Sequence, residues 1–244
     1  MIIVIQKKLF YKKKLNDIRF SKEIMTYIFC AHRMWAKELF QQLKKRYKTM
    51  ELVEKPEKLT YRFLKKKNPK MIIFPDWSWI IPKEIVDNFN CVCIHESNLP
   101  KFRGGSPIQN QIIRGIEKTK STAFLMNNEL DAGEILLQKP LSLKGSLEEI
   151  FSRIIKNDYE MIVKIIQGKY SLKKQSGKPS YFKRRKPDQS ELKDLNNSKK
   201  YLYDFIRMLS DPYPNAFIKI GKRKIIFKSA KFNGDKLTFE GEIH

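Results

Sequence analysis

An apolar run rich in β-branched residues, Cys91-Val92-Cys93-Ile94-His95, ends on a histidine and gives way at once to a Pro and Gly turn, Leu99-Pro100 to Arg103-Gly104-Gly105. That pattern predicts a buried strand that delivers His95 to the edge of a sheet. Open α/β sheets bind ligands at the carboxyl ends of their strands. From His95 the chain runs through a turn, a predicted helix and a second predicted strand (Thr122 to Met126), then reaches Asp131-Ala132-Gly133. One crossover therefore separates His95 from Asp131, and the spacing predicts that they share a pocket.

The rest of the pattern sets the fold class. Short apolar runs at Tyr27–Ala31, Glu51–Val53 and Met71–Phe74 alternate with amphipathic stretches such as Trp35, Leu39 and Leu43, and with helical runs at Leu59–Leu64 and Lys83–Phe89. Strands alternating with helices predict an α/β domain built on a doubly wound, mostly parallel sheet. Ser106-Pro107-Ile108-Gln109 predicts a helix start by capping, with Gly115 as its stop; Ser146 to Glu149 predicts a second capping box before a longer helix that ends at Gly168. Residues 25–168 are thus expected to form the large domain, 169–200 a basic linker, and 201–244 a small subdomain of one helix and alternating β runs. Met25 stands just before the first strand, so residues 1–24 are expected to be an extension upstream of the true start.

Composition narrows the function classes. The formal charge is +24, but most of the 50 basic residues are lysine, which more often makes a solvated surface than a reader of bases. The cluster Lys183-Arg184-Arg185-Lys186 stands out within the linker. Three cysteines support no disulfide framework, which fits a reducing cytoplasm. No stretch reaches the length of a membrane span, and the first residues lack the form of a signal peptide. Cys91, Cys93 and His95 share one strand face. Their types would suit zinc, yet no further ligand pair has metal spacing, and no metal site is expected. No glycine-rich phosphate loop occurs.

His95-x-Ser97-x-Leu99-Pro100-x-x-Arg103-Gly104-x-x-Pro107, followed by Thr122, Met126 and Asp131-x-Gly133-x-Ile135, resembles the formyltransferases that use 10-formyltetrahydrofolate. The resemblance is specific over about Pro69 to Leu141. It implies a Rossmann-like formyltransferase fold and a catalytic Asn, His and Asp, of which His95 and Asp131 match while Cys93 stands at the Asn position. Losing an oxyanion donor costs on the order of 10²–10³ in rate, and a thiol donates weakly. Asn110, on the first turn of the helix after the Arg-Gly turn, is a candidate replacement. The resemblance places the pterin of 10-formyltetrahydrofolate against Trp77, Ser78, Trp79, Ile80 and Pro82, with Leu130 and Gly133 as the opposite wall. Arg103, Gly104, Gly105 and Ser106 fall where the acceptor would bind.

The acceptor expected from the sequence is a nucleotide-linked amino sugar. Pro212-Tyr213-Pro214-x-Ala216-Phe217 resembles the sugar-nucleotide branch, and the chain after Asn215 is short for the barrel of methionyl-tRNA formyltransferases. Methionyl-tRNA is the alternative, with the basic linker gripping phosphates. A catalytically degenerate nucleic-acid-binding module is the second alternative. No membrane partner is expected, and a homodimer is compatible with each.

Overall fold

The computed structural model describes residues 25–244; the expected extension, 1–24, lies outside that range. In chain order the large unit comprises β1 (Tyr27–Ala31), α1 (Met34–Arg46), β2 (Met50–Val53), α2 (Tyr61–Lys67), β3 (Met71–Asp76), α3 (Lys83–Asn88), β4 (Cys91–His95), β5 (Arg103–Gly104), α4 (Pro107–Ile112), β6 (Lys118–Leu125), β7 (Ile135–Ser142) and α5 (Leu147–Ile166). Six of the strands form one sheet in the order β2-β1-β3-β4-β6-β7. The pairs among β2, β1, β3 and β4 are parallel. Those of β4 with β6 and β6 with β7 are antiparallel.

Alternation along each parallel strand divides two cores. Tyr27, Phe29, Ile73, Val92 and Ile94 face the core under α1 and α5, which supply Leu39, Leu43, Ile154 and Ile162. Ile28, Cys30, Ile72, Phe74 and Cys91 face the opposite core, closed by Leu64 of α2 and Ile85 of α3. A strand buried on both faces has no polar alternate positions, which is why Tyr27–Ala31 reads as an unbroken apolar run.

Local signals account for the helix starts. The Ser146 hydroxyl accepts from Glu149 N–H while the Glu149 carboxylate accepts from Ser146 N–H, the predicted capping box. Helix α4 does begin at Pro107 and stop before Gly115, but Ser106 caps nothing: it has left-handed backbone, φ +52°, and its hydroxyl accepts from Arg185 N–H at 3.1 Å. The chain that follows α5 explains the difference.

Residues 169–198 cross the large unit as a strap. Lys173 exchanges two backbone hydrogen bonds with Ile135. Further along, β8 (Tyr181–Phe182) pairs in parallel with β5. Phe182 stacks on Phe102, centroids 4.8 Å apart. The chain then enters α6 (Lys199–Arg207) and an antiparallel sheet of β9 (Phe217–Ile220), β10 (Arg223–Phe232) and β11 (Leu237–Ile243).

Two buried ionisable clusters sit in this frame. Arg207 of α6 pairs with Asp204 at 2.7 Å and donates to the carbonyls of Leu143 (2.7 Å) and Gly145 (2.9 Å), tying the C-terminal unit to the segment before α5. Glu96, directly after β4, and Asp158 of α5 are buried neighbours, and each leaves carboxylate oxygen without a partner. Burial raises both pKa values, that of Glu96 to about 8, and each carboxylate works against ionisation of its neighbours.

Two predictions test this arrangement. Arg207→Met leaves Asp204 with Lys200 as its remaining partner and strands two buried carbonyls, so it lowers stability by about 2 kcal/mol, read as a lower urea midpoint. Because Glu96 holds its proton more tightly folded than unfolded, the fold loses stability as pH rises from the ordinary carboxylate range toward about 8. Glu96→Gln removes that loss: its melting temperature equals wild type near pH 4 and exceeds it by several degrees above pH 8, in thermal scans across pH.

Candidate active site

The antiparallel turn of the sheet at β6 brings His95 and Asp131 together. His95 is paired with Thr122, and β6 ends beside Val92, so the loop after it must fold back along the sheet. That loop carries Asp131, whose Oδ2 comes within 3.9 Å of His95 Nδ1. The other ring nitrogen, Nε2, lies 2.7 Å from the Phe102 carbonyl. An imidazolium here would have an acceptor for one N–H and a countercharge for the other. Asp131 Oδ2 also accepts from Gly104 N–H at 2.7 Å, which fixes the carboxylate to the Arg-Gly turn. Asp131 itself has φ +49°, an uncommon conformation for a residue with a side chain.

The double glycine exists for the strap. A Cβ on Gly104 would stand 2.3 Å from the Phe182 carbonyl oxygen, and one on Gly105 would stand 2.4 Å from Arg184 Cα. Gly133 is equally constrained, since a Cβ there would meet the Leu125 carbonyl oxygen at 1.7 Å. Arg103 is buried and turned toward the strap, donating to Tyr181 Oη (2.8 Å) and Gln175 Oε1 (2.7 Å). Asn110 donates through Nδ2 to the Gly105 carbonyl (3.0 Å), so the structure places this amide under the turn.

Cys93 lies on the same face of β4 as His95, with its thiol 3.6 Å from the Ile94 carbonyl. Burial pushes its pKa well up, and Asp131 and Glu96 add to the effect, so a nucleophilic thiolate is disfavoured. Cys91, its thiol pushed up to about 12 by burial, belongs to the core. Among the described residues no group of three or more His, Cys, Asp or Glu is arranged to hold a metal ion.

The loop after β3 and the loop bearing Asp131 expose apolar surface. Ile80 is 97% exposed, Leu130 60% and Trp79 41%, while Trp77 packs edge-on against both Phe74 and Trp79. Exposed flat and aliphatic side chains of this kind fit an aromatic bicyclic ring such as a pterin. Pro82 stands just before the first residue of α3, and Ser78 accepts from Arg184 at 2.8 Å.

Other residues at this edge carry no sequence motif. Asp76, buried at the end of β3, accepts from Arg33 N–H (2.9 Å) and pairs with the Arg33 guanidinium; His32 Nδ1 is 3.3 Å away. Burial lowers the His32 pKa, with Asp76 opposing. The Arg33 guanidinium also covers the ring of Tyr213, 5.6 Å from its centroid, so the start of the C-terminal unit reaches the site. Gln175 of the strap donates to the carbonyls of Asp131 (2.8 Å) and Gly133 (2.9 Å). An isolated arginine in a chain with 50 basic residues, or one glutamine in a polar stretch, gives no signal in the sequence.

Comparison with known proteins agrees with this geometry. Residues 32–166 match the formyl transferase family, and 187–244 match the methionyl-tRNA formyltransferase C-terminal domain. The chain is 40% identical to a solved methionyl-tRNA formyltransferase from Clostridium thermocellum, with a TM-score of 0.85 over 90% of this chain and 99% of that one. It is 33% identical to a methionyl-tRNA formyltransferase from Thermodesulfovibrio yellowstonii over 67% of its own length and 56% of that protein, so it spans about half the length of such curated relatives. A sugar N-formyltransferase from a Shewanella species shares the fold, with a TM-score of 0.67 at 19% identity over 86% of this chain and 99% of that one. With more than half its residues matched, and with His95 and Asp131 meeting at the sheet edge, the chain belongs to the formyl transferase family.

Proposed function

We propose that the protein transfers the formyl group of 10-formyltetrahydrofolate to a primary amine, and that this amine is the α-amino group of methionyl-tRNA. The observation that carries the acceptor is the 40% identity to a methionyl-tRNA formyltransferase whose whole chain aligns with nine tenths of this one. The sequence favoured an amino sugar partly because the C-terminal unit is short. That argument loses its weight, because the aligned relative shares the same compact layout. The sugar N-formyltransferases resemble this chain only in fold.

In this reading the acceptor nitrogen attacks the formyl carbon, a tetrahedral intermediate forms, and the bond from that carbon to N10 of the folate breaks. One proton leaves the attacking amine and one reaches N10. His95, held by Asp131, stabilises the oxyanion and passes a proton through Nε2 once that nitrogen exchanges the Phe102 carbonyl for the substrate. Asp131, fixed by Gly104 N–H, holds the ring in place. The Cys93 thiol faces its neighbour's carbonyl and contributes little. The pterin lies against Trp77, Trp79 and Ile80, with Leu130 opposite. Exposed Lys183, Arg184 and Lys186 on the strap meet tRNA phosphates.

Release of tetrahydrofolate with charged methionyl-tRNA tests this. His95→Ala and Asp131→Asn each lower turnover by about 10²–10⁴ with unchanged circular dichroism, whereas Cys93→Ala stays within about threefold of wild type because its donor is a weak one. For a tRNA acceptor kcat/KM falls at least about tenfold between ~50 and ~200 mM salt. A rate indifferent to salt contradicts the tRNA acceptor, and full activity in His95→Ala contradicts the chemistry.

A further inference from the structure

The strap does more than cover the sheet edge. Gln175 is pinned on one side by the Lys173–Ile135 bridge and on the other by Ser180, whose carbonyl accepts from Arg103 N–H (2.8 Å) and whose hydroxyl accepts from Phe102 N–H (2.9 Å). Between these anchors its single amide makes three hydrogen bonds. Nε2 donates to the Asp131 carbonyl at 2.8 Å and the Gly133 carbonyl at 2.9 Å, and Oε1 accepts from Arg103 Nη2 at 2.7 Å. Both carbonyls belong to the loop that carries the Asp131 carboxylate. Arg103 belongs to the turn whose next residue, Gly104, holds that carboxylate through its N–H.

We propose that Gln175 is a positioning residue for formyl transfer: it locks the Asp131 loop to the Arg103–Gly104 turn and so sets the Asp131 carboxylate against His95. The proposal rests on the formyl-transfer reading above. Its physical basis is the placement of the Gln175 bonds on the Asp131 backbone, whose φ of +49° is left-handed and less favourable than extended or right-handed backbone even for an Asp. Gln175 binds the carbonyl of that same residue. No other side chain type fills the place. The site needs two N–H donors and one acceptor on a planar group, which among side chains only an amide supplies, and asparagine is one methylene shorter. Glutamate keeps the acceptor for Arg103 but sets a carboxylate against two carbonyls. Methionine keeps the volume and makes none of the three bonds. Gln175 does not touch His95, so its effect passes through Asp131.

A displacement of about 1 Å in a catalytic group can cost on the order of 10²-fold in rate. With wild-type turnover established first, Gln175→Met and Gln175→Glu are expected to lower kcat by about 30–100-fold. The KM for the formyl donor should change by less than about threefold, since uniform binding is untouched. The ¹³Cε1 resonance of His95 should move in both variants at fixed pH. Tyr181→Phe is the control for a strap that is only loosened: it removes the other bond to the Arg103 guanidinium, at 2.8 Å, and leaves the Gln175 amide in place. It should keep at least about a third of wild-type kcat and leave the His95 resonance where it is.

The proposal is overturned if the Gln175 variants match Tyr181→Phe in kcat, or if their loss lies wholly in KM or in thermal stability while the His95 resonance stays in place. A wild-type protein without formyl transfer sinks the functional reading instead. In that case the His95 resonance alone decides the positioning, because it reports the Asp131 geometry without turnover.

Discussion

The hydrogen bond from Gly104 N–H to the Asp131 carboxylate is the contact on which the site depends. It joins two loops that leave the sheet at different strands, one following β4 and one following β6. The bond forms only because β6 runs antiparallel to β4, which turns the second loop back toward His95. It requires backbone N–H groups on a turn with no side chain in the way, and the strap enforces that requirement. Phe182 and Arg184 approach Gly104 and Gly105 so closely that any Cβ would collide with backbone. Packing of a distant segment therefore dictates the composition of the Arg-Gly turn.

The strap also changes the roles of several polar side chains. Arg103 is buried against Tyr181 and Gln175, and Ser106 holds Arg185 in place of capping its helix. Ser78 accepts from Arg184. These residues form a polar frame in which most donors have acceptors, as a buried network requires. The strap carries exposed basic side chains on its outer face, which puts the frame and the proposed tRNA contact on one short segment. The Arg33–Asp76 pair and Tyr213 extend the frame to the start of the C-terminal unit.

Much of this was legible in the sequence where one periodicity governs one element. Tyr27–Ala31 and Cys91–His95 are buried on both faces, so an apolar run sufficed to place them. Ser146 and Glu149 announce α5 through reciprocal capping chemistry. The sequence places His95 and Asp131 together through a crossover, but β6 runs antiparallel to β4, so they meet by a fold-back of the following loop that leaves no mark on the pattern. The strap reads as a linker because its residues are polar, and it makes its contacts through backbone and amide groups that hydropathy ignores. Gln175, Ser180 and Tyr181 were invisible for that reason. Glu96 and Asp158 were missed for the opposite one: a carboxylate at such a position reads as solvated, and only the three-dimensional arrangement shows it buried. The acceptor was the least legible feature, since a tRNA and a nucleotide-linked sugar both present an amine near phosphates.

The most direct measurement is a competition in which the purified protein, with 10-formyltetrahydrofolate, meets methionyl-tRNA and a panel of nucleotide-linked amino sugars together, and the products are identified by mass. The account predicts that formyl mass appears on methionyl-tRNA alone and that its formation disappears in His95→Ala. Formyl mass on a sugar would contradict the proposed acceptor, and its absence from every amine would contradict formyl transfer itself.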